Sequence, residues 1–215
     1  MCSHGAVRSW SVVVPAKRLD VAKTRLRSLT AGRDDAAAAH RELVLALLAD
    51  TVAAAVACPA VGTVVVVSDE PAAADVVRGL GARTVPDEPD RGLNAALEHG
   101  ARSAPGEAVA ALSSDLPSLR PGELAAALAA ASGLARAFVA DADGTGTTLL
   151  TAVGTDLRPA FGPGSAGAHL SGGAIALTGW WPGLVRDVDT EADLRAALRL
   201  GAGPSTTALA AHLTG

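Results

Sequence analysis

"GTVVVVSD", Gly62 to Asp69, decides the fold. Its unbroken run of valines, closed by Ser68 and Asp69, reads as a strand buried on both faces and not as one that alternates between core and water. Strands of that kind belong in mostly parallel sheets covered by helices on both sides. The flanking sequence agrees. Upstream, "WSVVV" from Trp10 reads as a first strand and "RELVLALLADTVAAAVA", Arg41 to Ala57, as a long, mostly buried helix. Downstream, Pro71 to Leu80 reads as a helix with proline in its first turn, and "ARTVPD" from Ala82 as a short strand.

The alternation continues to the end of the chain. "GLNAALEHGARS" from Gly92 is a helix, and "EAVAALSSDLPSL" from Glu107 is a strand ending in an acidic turn. Pro121 opens the helix "PGELAAALAAA", and "RAFVADADGTGTTLLTAV" from Arg136 is a pair of strands joined by a glycine-rich turn. "GLVRDVDTEADLRAALRL" from Gly183 reads as a last short strand and then a helix, with Thr190 as N-cap and Asp193 at the capping-box offset. The expectation is one α/β domain over residues 1–215, a doubly wound, mostly parallel sheet, with tails at about 1–8 and 205–215. In such sheets ligands bind beyond the carboxyl ends of the strands. The loops after Pro15, Val67 and Leu112 should therefore converge on one edge.

Composition narrows the function. A chain that is 49% hydrophobic and 19% charged has the makings of a globular core. Its formal charge of −4 argues against a nucleic-acid partner, since such proteins present a basic domain. Cys2 and Cys58 form no CxxC or Cys/His spacing, which disfavours a zinc site or a disulfide framework. No apolar run reads as a signal peptide or a membrane span, so a cytoplasmic location and no membrane partner are expected.

Against that acidic background, Lys17, Arg18, Lys23, Arg25 and Arg27 crowd the loop after the first strand. Such cations either lead solvated into the next helix or hold phosphate oxygens. The loop is neither GxxxxGK[ST] nor GxGxxG, so P-loop and dinucleotide-dehydrogenase readings lose their main support. Asp115 in "LSSDLPSL" and Asp189 in "RDVDTEADL" stand at strand ends, where an acid either satisfies a turn or ligates Mg²⁺ together with substrate phosphates. Asp187 competes with Asp189 for that role. Two carboxylates opposite a cationic loop make a site for a metal-bound nucleoside triphosphate. "DGTGTTLL", Asp143 to Leu150, and "FGPGSAGAH", Phe161 to His169, are glycine-rich turns with hydroxyls that can cradle an anion or simply turn the chain. Of the histidines, only His169 falls inside a candidate site. No Ser-His-Asp or Cys-His arrangement and no glycosidase-like carboxylate pair stands out.

The ordered set "VVPAKRLDVAKTRL", "LSSDLPSL", "DGTGTTLL", "FGPGSAGAH" and "DVDTEADL" resembles the guanylyltransferases of coenzyme F(420) biosynthesis, the 2-phospho-L-lactate guanylyltransferases and their phosphoenolpyruvate-using branch. The resemblance spans roughly Val12 to Pro204. It implies a single nucleotidyltransferase domain with a Rossmann-like mixed sheet, GTP as donor, Mg²⁺, and a phosphorylated three-carbon acid as acceptor. It further implies transfer of GMP with release of pyrophosphate, and a labile product handed to the enzyme that consumes it. Residue by residue, Asp115 and Asp189 are similar to the metal-binding acids. Thr147, Gly162 and Ser165 correspond to the positions that hold the acceptor, and Lys17, Lys23 and Arg25 to triphosphate contacts.

The loop at 161–169 departs from the family's usual FGP-Asp-Ser by carrying Gly164, and it has no arginine before His169, so no charged contribution is expected from it. Ser68, Asp69, Leu93 and Asn94 either read the guanine edge or cap helices. A phosphate monoester acceptor, with a second pKa near 6, is already mostly dianionic at neutral pH and needs no general base. The rival readings are another nucleotidyltransferase of this fold using CTP or UTP, and a nucleotide-binding regulatory protein without turnover.

Overall fold

A computed structural model describes residues 9–16, 23–31, 34–88 and 90–214. Lys17 and Arg18 of the cationic loop lie outside the described residues. Seven strands form one sheet: β1 (Trp10–Pro15), β2 (Val61–Val67), β3 (Arg83–Val85), β4 (Ala108–Leu112), β5 (Arg136–Ala140), β6 (Thr147–Val153) and β7 (Ile175–Ala176). Their order is β3-β2-β1-β4-β6-β5-β7. Only β6 runs against the rest, pairing antiparallel with β4 and β5. The sheet is thus mostly parallel and mixed, as expected.

The valine runs explain its centre. β1 and β2 pair in parallel, Val12 beside Val64 and Val14 beside Val66. Val12, Val14, Val64 and Val66 pack under helices α1 (Ala36–Val56), α2 (Pro71–Gly79) and α4 (Pro121–Ala131), against Leu48, Val52, Val77 and Leu128. On the other face Val13 and Val67 meet Leu97 of α3 (Leu93–Ser103), Phe138 and Leu150. Both faces are covered, so no position in these strands can be polar without a partner. Helix α3 lies close to the sheet because of Gly100: a Cβ there would sit 2.5 Å from Val13 Cγ1 and 2.6 Å from Val67 Cγ2.

Pro71 and Pro121 open α2 and α4, as the sequence indicates. Helix α1 begins earlier than expected, at Ala36, since the alanines before His40 favour helix. Two elements depart from expectation. The segment from Gly183 to Val188 is no strand. It crosses the carboxyl edge of the sheet, tied by the Ala142 N–H to Val185 O and by the Val188 N–H to Asp115 O. The final strand is instead β7, which pairs in parallel with β5. "FGPGSAGAH" is a turn only at its start, because Ser165–Ser171 forms helix α5.

Residues 205–215, expected as a tail, belong mostly to helix α7 (Pro204–Thr214), which packs against α1. The buried Asp50 carboxylate of α1 accepts the N–H groups of Ser205 (3.0 Å) and Thr206 (2.8 Å), two of the donors that a helix start leaves unpaired. Helix α6 (Glu191–Leu200) carries the expected capping box between Thr190 and Asp193. Among the described residues no helix is long and apolar enough to cross a membrane.

Asp50→Ala removes an N-cap carboxylate and should cost about 1–2 kcal/mol of stability. The denaturant midpoint reads this directly, and an unchanged midpoint would show that α7 docks by apolar contact alone.

Candidate active site

The carboxyl ends of β1 and β4, the β5–β6 turn and the start of α5 surround a cavity of about 670 Å³, a size suited to a small ligand. Asp115 lies just past β4 in a loop tied down from several sides. The Leu116 N–H donates to Thr51 Oγ1 of α1 (2.9 Å), while Ser118 Oγ donates to Ala197 O of α6 (2.8 Å). The Val188 N–H donates to Asp115 O, and the Gly203 N–H to Pro117 O (2.8 Å). Asp189 precedes α6, and its N–H donates to the capping-box carboxylate of Asp193. Two chain segments far apart in sequence are thereby clamped side by side.

Their carboxylates converge on one ammonium. Lys23 Nζ donates to Asp115 Oδ2 and to Asp189 Oδ1. Lys23 holds a left-handed backbone (φ 52°) at the start of the 3₁₀ turn Thr24–Leu29, a conformation that costs a non-glycine residue about 1 kcal/mol. Burial works against the Lys23 charge, but the facing Asp115 and Asp189 carboxylates outweigh it and hold the pKa above the usual lysine range. Asp187, on the same wall, is pushed up to about 7 by burial and by its like-charged neighbours Asp115 and Asp189, with Lys23 acting in the opposite sense. The site thus concentrates carboxylates around the Lys23 ammonium, with Arg25 also in the lining. Among the described residues no group of three or more His, Cys, Asp or Glu side chains is arranged to hold a metal ion. Two carboxylates still fit Mg²⁺, which takes its other ligands from water and substrate phosphates.

The opposite wall is mostly hydroxyls and glycines, with two acids, Asp141 and Asp143, from the β5–β6 turn. Thr147, Gly162 and Ser165 all line the cavity. Asp141 shapes this wall by accepting the N–H groups of Thr145 (2.9 Å) and Gly146 (2.8 Å) across the β5–β6 turn. The Ala166 N–H donates to Thr145 O (3.0 Å), joining α5 to that turn. Gly164 sits in the left-handed region (φ 73°), where aspartate and asparagine are the commonest alternatives to glycine. That backbone requirement favours glycine at position 164. His169 is 3% exposed. Its Nδ1 lies 2.9 Å from Thr147 Oγ1, its Nε2 accepts the Ala160 N–H at 2.9 Å, and burial lowers its pKa.

Lys23, Arg25 and Leu93 also line the cavity, together with Asp115 and Asp189. Ser68, Asp69 and Asn94 do not belong to its lining. Ser68 Oγ accepts the Glu70 N–H (3.1 Å), a local turn contact, and Asp69 Oδ1 accepts the Asp87 N–H (2.9 Å) from the loop after β3. Asn94 does something the sequence did not suggest. Its amide both donates to Phe161 O (3.1 Å) and accepts the Phe161 N–H (2.8 Å), pinning the 161–165 loop from α3. Thr51 and Asn94 act on the site from distant helices, and no local motif marks them. Asp141 does carry a signal, an acid ahead of a glycine-rich turn.

A mixed α/β sheet whose carboxyl edge gathers paired acids around a cation, beside a hydroxyl- and glycine-lined pocket, defines a nucleotidyltransferase. The description of the MobA-like NTP transferase domain matches residues 45–170. The phosphoenolpyruvate guanylyltransferase of Geodermatophilus obscurus is 72% identical, covering 95% of this chain and 95% of its own. That of Thermomonospora curvata is 53% identical over 98% of this chain and 92% of its own. A nucleotidyl transferase from Methanothermobacter thermautotroptrophicus shares the fold, with a TM-score of 0.66 at 21% identity, over 89% of this chain and 97% of the other. The chain belongs to the MobA-like NTP transferase family, in its phosphoenolpyruvate guanylyltransferase branch.

Replacing Asn94 with alanine should loosen the 161–165 loop and raise the KM of the phosphorylated acid about 10-fold, the worth of roughly one hydrogen bond, with the GTP KM unchanged. Steady-state kinetics with each substrate varied in turn would decide; a rise confined to the GTP KM would return Asn94 to the base-reading role.

Proposed function

We propose that this enzyme transfers GMP from GTP to the phosphate of phosphoenolpyruvate and releases pyrophosphate. The observation that carries this reading is the convergence of Asp115 and Asp189 on one cation, across a shared cavity from Thr147, Gly162 and Ser165. The similarity over nearly the full length, at 72% and 53% identity, to relatives named for that reaction supports it.

The chemical problem is bringing two polyanions together. Two like unit charges ~5 Å apart at an effective dielectric of ~20 repel by roughly 3 kcal/mol, and several such pairs arise here. Asp115 and Asp189 are the residues that would hold Mg²⁺, which supplies positive charge for the triphosphate and the departing pyrophosphate. Lys23 and Arg25 on the same wall add fixed positive charge, and Lys17 is proposed as a third cation of this group. Leu93 and Leu97 offer an apolar surface for the base.

The acceptor lies against Thr147, Gly162 and Ser165. Its phosphate is dianionic near neutral pH, so an acceptor oxygen attacks the α-phosphorus without losing a proton to the protein, and pyrophosphate departs. Catalysis is then positioning and electrostatic stabilisation, and the acceptor's own charge makes a histidine or cysteine base unnecessary. Because the product joins two phosphates in an anhydride, an enzyme that consumes it completes the sequence, as coenzyme F(420) biosynthesis would provide.

The test is pyrophosphate release with Mg²⁺, GTP and phosphoenolpyruvate, 2-phospho-L-lactate or 3-phosphoglycerate, with the product-consuming enzyme present. Release with GTP and phosphoenolpyruvate is expected. GTP binding without release would indicate a regulatory protein, and release with CTP or UTP in place of GTP another transferase of this fold. Asp115→Asn should lower kcat about 100-fold or more with the melting temperature unaltered. Full activity in that variant, with the same Mg²⁺ dependence, would remove Asp115 from the metal site.

A further inference from the structure

His169 does not line the cavity, yet it bonds to a residue that does. A backbone amide can only donate. With the Ala160 N–H directed at Nε2 at 2.9 Å, that nitrogen must present its lone pair. The single proton of a neutral imidazole therefore resides on Nδ1, 2.9 Å from Thr147 Oγ1. An imidazolium would set two N–H groups against each other at Nε2. No solvent relieves that conflict, because the ring is 3% exposed and flanked by Phe161 (centroids 5.2 Å, edge-on) and Phe138 (5.9 Å). The direction of the pKa shift agrees, since burial favours the neutral ring.

The consequence falls on Thr147. Its hydroxyl has one proton and, with Oγ1 accepting from Nδ1–H, that proton is available to another group. Among the described residues the Thr147 hydroxyl has no other hydrogen-bond partner, and Thr147 is one of the residues that line the cavity. We propose that His169 is a positioning residue: the Ala160 amide fixes its Nδ1–H tautomer, Nδ1–H donates to Thr147 Oγ1, and the Thr147 hydroxyl proton is thereby directed away from the ring and kept free to donate to the anionic acceptor. The proposal rests on the reading of Thr147 as an acceptor contact. A hydroxyl whose proton is not spent on the imidazole matches a carboxylate or phosphate oxygen.

Two substitutions separate this role from that of a strut holding the 159–164 loop. Asparagine places an amide near the Nδ1 position and can still donate to Thr147, but it cannot reach Ala160. Glutamine reaches the Nε2 position and can still accept from Ala160, but it supplies no donor to Thr147. The proposal expects His169→Asn to keep the phosphoenolpyruvate KM within about 3-fold of wild type, and His169→Gln to raise it about 10-fold, with the GTP KM unmoved in both, the scale of one hydrogen bond. The reverse pattern, rescue by glutamine and loss with asparagine, would establish the strut and overturn the proposal.

A second readout does not depend on turnover. In the ¹⁵N-labelled wild-type protein, two-bond ¹H–¹⁵N spectra should show His169 protonated at Nδ1 and bare at Nε2. A proton on Nε2 would overturn the assignment whatever the variants do. Wild-type enzyme that releases no pyrophosphate with phosphoenolpyruvate would sink the underlying reading of the site, and the positioning role with it. Turnover by wild type combined with the strut pattern would sink the His169 role alone.

Discussion

The ammonium of Lys23 held between the carboxylates of Asp115 and Asp189 is the contact around which the rest of the molecule is arranged. Carboxylates brought together in a half-buried site are disfavoured by burial and by mutual repulsion, and both effects are visible in Asp187, whose pKa is driven up to about 7 on the same wall. Only a cation at their meeting point makes the grouping tolerable. The left-handed backbone at Lys23 is a local cost accepted to deliver that charge from the loop after β1. The features that make this edge expensive to fold also make it receptive to a metal-bound polyanion.

The edge is stabilised from outside the cavity. The 115–119 loop receives or makes hydrogen bonds to α1 at Thr51, to the 183–188 crossing at Val188, to α6 at Ala197 and to the chain before α7 at Gly203. Asp50 holds the start of α7 in turn. The C-terminal third of the chain thus acts as a brace for an acid that β4 delivers. On the other side of the cavity, Asn94 of α3, Asp141 of the β5–β6 turn and His169 of α5 play the same part for the wall that carries Thr147, Gly162 and Ser165. The two walls face one another because α5 and the 183–188 crossing pack at the same end of the sheet.

Much of this was legible in the residues. The valine runs identify β1 and β2 because their two-sided burial leaves no choice of side chain, and the prolines at 71 and 121 mark helix starts by their fixed φ. Thr190 with Asp193 announces a capping box that is present. Asp115, Asp189, Thr147, Gly162 and Ser165 do meet in one cavity. What was not legible depends on partners outside the local sequence. Gly183–Val188 has the composition of a strand, but its backbone bonds go to Trp181, Ala142 and Asp115 and it lies across the sheet instead of in it. Asn94, a candidate for reading a base, has both amide atoms engaged by the Phe161 backbone, a partner 67 positions away.

By itself, the sequence determined what depends on neighbours along the chain: the alternation of strands and helices, the caps, the glycines at strained turns, and the kinds of charge available after each strand. Those signals are local because backbone dihedrals and side-chain periodicity are local. Tertiary structure alone decided which charges meet and which hydrogen bonds orient them. Lys23 and Asp189 are separated by 166 positions, and nothing short of the completed sheet brings them into contact. The tautomer of His169 likewise follows from the Ala160 amide that the folded loop turns toward it, because a proton's place on a ring is set by the partner it faces.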